Sequence, residues 1–165
     1  YENLIKFKNQ GRIEESTGGA DDFISVGTNL RFTDLQSALG LSQLKSFEKR
    51  KEKLISTYKY YKKNLVENNK FKIFQFDYKN GELPLWTDVY CNERDKLLKF
   101  LKKNMVNCRP YWFPISTTKP YKSSSNNLMK SKKIFKKLMW LPSSLKMSLA
   151  EQQKVCRLIN KFFST

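Results

Sequence analysis

Apolar residues recur through positions 33–66 at spacings of mostly three, four and seven: Leu35, Ala38, Leu39, Leu44, Phe47, Leu54, Tyr58, Tyr61 and Leu65. That period is helical. Thr33-Asp34-Leu35-Gln36 places a capping box ahead of it, in which the Thr33 hydroxyl accepts from the Gln36 N–H and Gln36 reaches back. The spacing predicts one amphipathic helix of about thirty residues, well above the globular mean of ~11–12. A helix of that length bridges two packed bodies or runs along an interface. Gly40 inside it costs about 1 kcal/mol relative to Ala; it is either tolerated there or admits the close approach of another backbone.

Beyond position 66 the pattern shortens. Phe71-Lys72-Ile73-Phe74-Gln75-Phe76 and Trp86-Thr87-Asp88-Val89-Tyr90 are aromatic and β-branched, as strands are, with Asn80-Gly81 and Pro84 as turn signals between them. Asn92 is a candidate cap for a helix to Asn104 that carries Leu97, Leu98 and Leu101 on one face. Val106–Trp112 is the third strand candidate. A Ser/Thr/Lys/Asn loop follows over Ile115–Asn127, then a short basic helix over Ser131–Leu138. A second capping box, Ser148-Leu149-Ala150-Glu151, opens a last helix that turns Val155, Ile159 and Phe162 inward. The order β-β-α-β-α-α predicts an antiparallel or mixed sheet with helices on one face. Residues 1–32 read as a connecting region. Ile5–Lys8 ends a helix or begins a strand there, Gly11, Gly18 and Gly19 mark turns, and Glu14-Glu15 with Asp21-Asp22 form an acidic loop.

Composition narrows the chemistry. The 165 residues contain no histidine, which removes Ser-His and Cys-His nucleophile systems and the commonest zinc ligand. Cys91, Cys108 and Cys156 are far apart without a C-x-x-C pair, so they form neither a zinc ribbon nor a disulfide framework, and they suit a reducing compartment. No apolar run is long enough to span a bilayer, and the first residues lack the apolar core of a signal peptide. A cytoplasmic protein with no membrane partner is expected. The chain opens on Tyr rather than Met, as a piece of a longer protein would. A formal charge of +17 hints at nucleic acid or an anionic membrane. However, 26 of the 32 cations are Lys rather than the Arg that reads phosphate bidentately, and they spread along the chain. Lysine excess as surface bias, a nucleic-acid-binding module and an anionic nucleotide substrate all remain open on charge alone, with nucleic acid disfavoured.

Two clusters carry candidate chemistry. In Gly27–Leu44 a glycine turn precedes two polar side chains and a capped helix. Asn29 is either a turn residue or an amide donor to an anion, and Arg31 is either a surface ion-pair partner or a clamp for carboxylate or phosphate. In Cys108-Arg109-Pro110-Tyr111-Trp112-Phe113-Pro114 an Arg is bracketed by aromatics and prolines. This is either a rigid recognition edge or an edge strand blunted by Pro with Trp112 in the core.

The pattern G-x-N-x-R-x-x-x-x-Q-[AS]-A-x-G-x-x-Q-L over Gly27–Leu44 resembles the DegT/DnrJ/EryC1/StrS family of pyridoxal-phosphate-dependent nucleotide-sugar aminotransferases. Lys49-Arg50-Lys51, Tyr61 with Leu65, Cys108–Trp112, and Leu141-Pro142 followed by Leu149–Gln152 extend the resemblance over nearly the whole chain. It implies an α/β fold, the fold type I pyridoxal-phosphate transferase. This chain would be mainly the α+β C-terminal small domain with a long connecting helix: 1–34 as the end of the large domain, 35–66 as the helix and 67–165 as the small domain. It further implies pyridoxal 5'-phosphate as cofactor, bound by Asn29 and Arg31, with Asn29 reaching across a homodimer to the partner's cofactor. Arg109 and Trp112 would lie near the nucleotide-sugar pocket, with glutamate as amino donor and surface polysaccharide as the pathway's product. The family's Schiff-base lysine, its pyridine-pairing aspartate and its ring-stacking aromatic lie upstream of the matched part, so no catalytic residue is expected here and the isolated piece is expected to be inactive. Two histidines common in the family are also missing: Ile115-Ser116 follows Pro114, and Gln10 precedes Gly11-Arg12.

Overall fold

A computed structural model of the chain describes residues 1–12, 23–121 and 129–164. The acidic loop at 14–22, Gly18, Gly19 and most of the Ser/Asn loop after Tyr121 lie outside them. The chain divides into two compact units, residues 1–47 and 48–165.

The first unit contains α1 (Glu2–Lys8) and α2 (Asp34–Leu44), and neither helix buries a residue. Ile5–Lys8 thus ends a helix. The expected capping box is present: the Thr33 hydroxyl accepts from the Gln36 N–H at 3.3 Å, and the Gln36 amide oxygen accepts from the Thr33 N–H at 2.9 Å. The single helix expected over 35–66 is corrected to two, because the hydrogen-bond ladder tightens at Ser46. There the N–H and the hydroxyl both donate to the Gln43 carbonyl, at 3.1 and 3.0 Å. An i→i−3 bond plus a side-chain bond to the same oxygen breaks the α-pattern.

In the second unit α3 (Phe47–Asn64) leads to a four-stranded antiparallel sheet: β1 (Phe71–Ile73), β2 (Thr87–Cys91), β3 (Arg109–Pro110) and β4 (Leu138–Leu141), in spatial order β1-β2-β4-β3. α4 (Arg94–Lys103), α5 (Met129–Ile134) and α6 (Leu149–Ser164) complete it. Thr87, Val89 and Cys91 alternate into the core, where they stand beside Leu141, Met139 and Phe71 of the neighbouring strands. Tyr58, Tyr61 and Leu65 of α3, Leu97 and Leu101 of α4, and Val155 and Ile159 of α6 close over that face. The other face carries Lys72, Asp88, Tyr90, Trp140 and Arg109.

The boundaries differ from expectation for local reasons. β1 stops early because the Tyr58 hydroxyl donates to the Phe74 carbonyl at 3.1 Å and accepts from the Phe76 N–H at 3.3 Å, drawing the chain off the sheet. β3 begins only at Arg109 because Met105 takes a left-handed φ of 59° and the Val106 N–H closes back on the Leu101 carbonyl, ending α4. Asn92 does not cap α4; its side-chain oxygen accepts from the Tyr90 hydroxyl at 2.6 Å, and Glu93 occupies the cap position. The expected helix over Ser131–Leu138 gives way at Phe135 to one tight turn and then to β4. Asn80-Gly81 forms the turn it signals: Asp77 caps a short 3-10 turn that Gly81 ends at φ 96°.

Polar groups tie α3 to the sheet and to α6. The buried Tyr61 hydroxyl donates to the Pro142 carbonyl at 2.8 Å. The Lys53 ammonium donates to the Met147 carbonyl at 2.7 Å. Asn160 accepts from the Val66 N–H and donates to the Asn64 carbonyl, satisfying the end of α3. At the start of α6 the expected second box forms, with Glu151 accepting from the Ser148 N–H at 2.7 Å.

Two stability measurements follow. Tyr61→Phe removes the hydrogen bond to the half-buried Pro142 carbonyl and should cost about 0.5–1.5 kcal/mol in urea unfolding of the protein. A cost under a few tenths would show that the bond is immaterial. The Ser148 N–H and hydroxyl hold the Glu151 carboxyl below its ordinary value of 4.5. A group depressed in the folded state stabilises above its unfolded pKa, and that contribution is lost as pH falls through the folded value. Melting temperature should therefore fall between pH 5 and about pH 3 less steeply in Glu151→Ala than in the wild type.

Candidate functional site

In residues 1–47 the chain crosses itself beside Asn29. The Thr28 N–H donates to the Phe7 carbonyl at 2.8 Å and the Leu30 N–H to the Lys8 carbonyl at 3.0 Å, while Ile24 donates to Gly11. Asn9 and Asn29 face each other across this antiparallel bridge. The crossing is so close that a Cβ on Gly27 would run into the Gly11 nitrogen and, at 2.6 Å, the Gln10 carbonyl carbon. Gly11 has its own requirement, a φ of 83°.

Asn29 itself is exposed, and its side-chain oxygen accepts from the Arg31 N–H at 3.2 Å. That bond uses the acceptor end of the amide and leaves the two-proton donor end available. The Asn29 side chain is therefore a turn residue and an available donor at once. Arg31 is half-buried, and its Nη2 is a buried atom with no acceptor among the described residues. A buried guanidinium nitrogen without a partner is costly unless an anion completes it.

In residues 48–165 the outer face of the sheet gathers all three tryptophans of the chain. Trp140, on β4, is 5% exposed and is covered by Trp86 at 5.1 Å, Tyr111 at 4.7 Å and Trp112 at 4.6 Å between ring centroids. Trp86 and Trp112 meet edge to face at 5.8 Å. The Tyr111 hydroxyl donates to Asp88 at 2.8 Å; burial, then that hydrogen bond and the Asp88 charge, push its pKa up to about 12. Arg109 stands opposite Trp140 in register and is exposed, at the rim of a cavity of about 230 Å³ that Trp86, Trp140, Ser143 and Ser144 also line. β3 is the edge strand, as Pro110 suggests, but Trp112 is 62% exposed rather than core. Arg109 and Trp112 thus lie on one face, with Trp86, Trp140 and Asp88 as neighbours that local sequence pattern does not bring together. The available signal was the tryptophan content itself.

Burial raises all three thiols, Cys91 and Cys156 to about 11 and Cys108 to about 12, so none is a thiolate at neutral pH. Among the described residues no three metal-ligating side chains cluster.

The profile of the DegT/DnrJ/EryC1/StrS aminotransferase family matches residues 1–160. The chain belongs to that family. Among curated proteins it is 27% identical over 171 residues to a GDP-perosamine synthase of Escherichia coli O157:H7, covering 99% of this chain and 44% of the relative. Among solved structures it superposes on the sugar aminotransferase CalS13 of Micromonospora echinospora with a TM-score of 0.80 at 13% identity, covering 98% of this chain and 44% of that one. It also superposes on PseC of Helicobacter pylori, an aminotransferase involved in the biosynthesis of pseudoaminic acid, with a TM-score of 0.71 at 21% identity (99% and 46%). The chain thus spans less than half the length of these relatives, and it has the fold of the matching part of a fold type I transferase.

Aminotransferases of the family depend on pyridoxal phosphate. The Asn29 amide and the Arg31 Nη2 fit its phosphate in chemistry: one is an exposed donor with its acceptor end already used, the other a buried cationic donor without an acceptor.

The Gly27 crossing makes a direct prediction. Gly27→Ala must push residues 27–29 off Gln10 and Gly11, at a cost of about 1–3 kcal/mol. Amide shifts of Thr28, Asn29 and Leu30 report it in NMR spectra. Unchanged shifts would mean that the crossing has room to spare.

Proposed function

We propose that the protein of which these residues form part transfers an amino group, from glutamate, to a ketone on a nucleotide-linked deoxysugar, in amino-sugar biosynthesis for surface polysaccharide in the cytoplasm. Family membership is what carries this reading, and a donor amide poised on a glycine crossing is the feature of the chain that fits it best.

Residues 1–34 belong to the end of the large domain, 35–66 connect, and 67–165 form the small domain. When bound, pyridoxal phosphate supplies the electron sink for the carbanion chemistry. Asn29 and Arg31 hold its phosphate by donating hydrogen bonds, and the Asx contact to the Arg31 N–H keeps Asn29 oriented. Asn29 does this in the site of a partner subunit, so a homodimer is part of the mechanism. Arg109 takes the diphosphate charge of the substrate, and Trp112 offers a flat face to its planar portion. The Tyr111–Asp88 bond keeps Tyr111 against Trp140 and so fixes the floor under Trp112. These residues bind and orient. The proton-moving lysine is upstream in the full-length protein, so the isolated chain has no activity.

Subunit mixing tests the shared site. In the full-length protein, Asn29→Ala and a variant lacking the upstream Schiff-base lysine should each be inactive. Randomly reassorted dimers should recover roughly a quarter of wild-type activity, since about half are hybrids with one intact site. No recovery on mixing, or an active Asn29→Ala enzyme, would sink the arrangement.

A further inference from the structure

Lysine is spread along the chain, but acid is not. Between Asp95 and Glu151 lie twelve Lys and one Arg with no Asp or Glu, so 13 of the 32 cations and none of the 15 acids fall there. Six of those lysines, at 119, 130, 132, 133, 136 and 137, sit on two segments that the ring contact of Phe113 with Phe135, 5.6 Å between centroids, brings together. Arg94 fixes the second segment to the body by donating to the Phe135 carbonyl at 2.7 Å. Among the described residues no carboxylate pairs with any of the six. Lys137 instead reaches the Tyr90 hydroxyl at 3.2 Å. Beside these cations stand exposed apolar side chains: Phe113, Ile115 and Tyr121 at 72%, 67% and 63% exposure, with Met129 and Ile134 about half exposed.

We propose that this face seats on an anionic bilayer surface, with the six lysines against lipid headgroups and Phe113, Ile115 and Tyr121 in the headgroup–acyl boundary. Charge complementarity selects the occupant. A second copy docked by two-fold symmetry would set lysine against lysine. Nucleic acid gains little from exposed Ile and Phe, and the two segments contain no Arg to read phosphate bidentately. Aromatic and aliphatic side chains interleaved with lysine suit a headgroup layer, where each lysine adds a roughly equal increment of binding. The expectation of no membrane partner rested on the missing span. No described helix is long and apolar enough to cross a bilayer, and surface seating requires none. The proposal uses neither Arg109 nor Trp112 and does not depend on the aminotransferase reading.

Vesicle co-sedimentation of the full-length protein tests it. The wild type should pellet with phosphatidylcholine vesicles containing about one third phosphatidylglycerol, and not with pure phosphatidylcholine. Lys132→Glu/Lys133→Glu/Lys136→Glu should lower partitioning about 100-fold or more. The control Lys49→Glu/Lys63→Glu/Lys99→Glu, with the same change in net charge, should stay within about threefold. Ile115→Ser/Ile134→Ser should lower partitioning by about tenfold. Melting curves check that each variant is folded, and the corresponding Lys→Gln triple replaces a Glu triple that is not. The proposal is overturned if the wild type ignores anionic vesicles, if the control triple loses as much, or if the apolar double changes nothing. It fails equally if the patch triple abolishes retention of single-stranded RNA while vesicle binding is untouched.

Discussion

Strand β4 must be covered on both sides, and that requirement organises residues 48–165. Leu138, Met139, Trp140 and Leu141 are all buried, so neither face of this strand can be left to water. Helices α3, α4 and α6 cover one side through ordinary aliphatic packing. Among the described residues, what covers Trp140 on the other is aromatic rather than helical. That side is closed by Trp86, Tyr111 and Trp112, which come from three separate stretches of chain. The aromatic layer is therefore structural before it is anything else, and its outer members are left facing solvent beside Arg109. The exposed Trp112 face beside Arg109 is thus the outer surface of the layer that protects β4. Tyr61 adds a fixed point at the end of the same strand, on the Pro142 carbonyl.

Residues 1–47 work on a different principle. They have almost no core, and α1 and α2 bury nothing. Their order comes from backbone pairing through a crossing that only glycine permits at positions 11 and 27. This gives a physical reason for the glycine two residues ahead of Asn29 in the motif. It is there so that the chain can lie flat against its neighbour, and the Asn29 amide is held at the end of that contact rather than by packing of its own side chain.

Much of this was legible in the chain because the signals were local. Both capping boxes, the Asn80-Gly81 turn and the inward faces of α4 and α6 depend on residues within a few positions of each other. The resemblance in Gly27–Leu44 named the family that the profile matches. What escaped was non-local. β4 is four apolar residues between Lys137 and Pro142, a run that reads equally as the end of a helix until a partner strand is known. Tyr58 shortens β1 from sixteen positions away, through a hydroxyl that no periodicity registers. The break at Ser46 turns on one side-chain bond to one carbonyl, and the apolar spacing runs through it unchanged. Trp86, expected in a strand, lies just ahead of β2, and Trp140 stands on the strand that local pattern does not reveal; their meeting with Trp112 depends on strand order.

Helix α2 has a cellular consequence. Leu35, Leu39, Leu41 and Leu44 stand 62–82% exposed, distributed around much of the helix rather than along one stripe. An eleven-residue helix is marginal in water without cover. Whenever this element stands uncovered, as during synthesis, it presents the kind of surface that chaperones retain and proteases recognise. A single short helix thus reports to quality control whether it has found its cover.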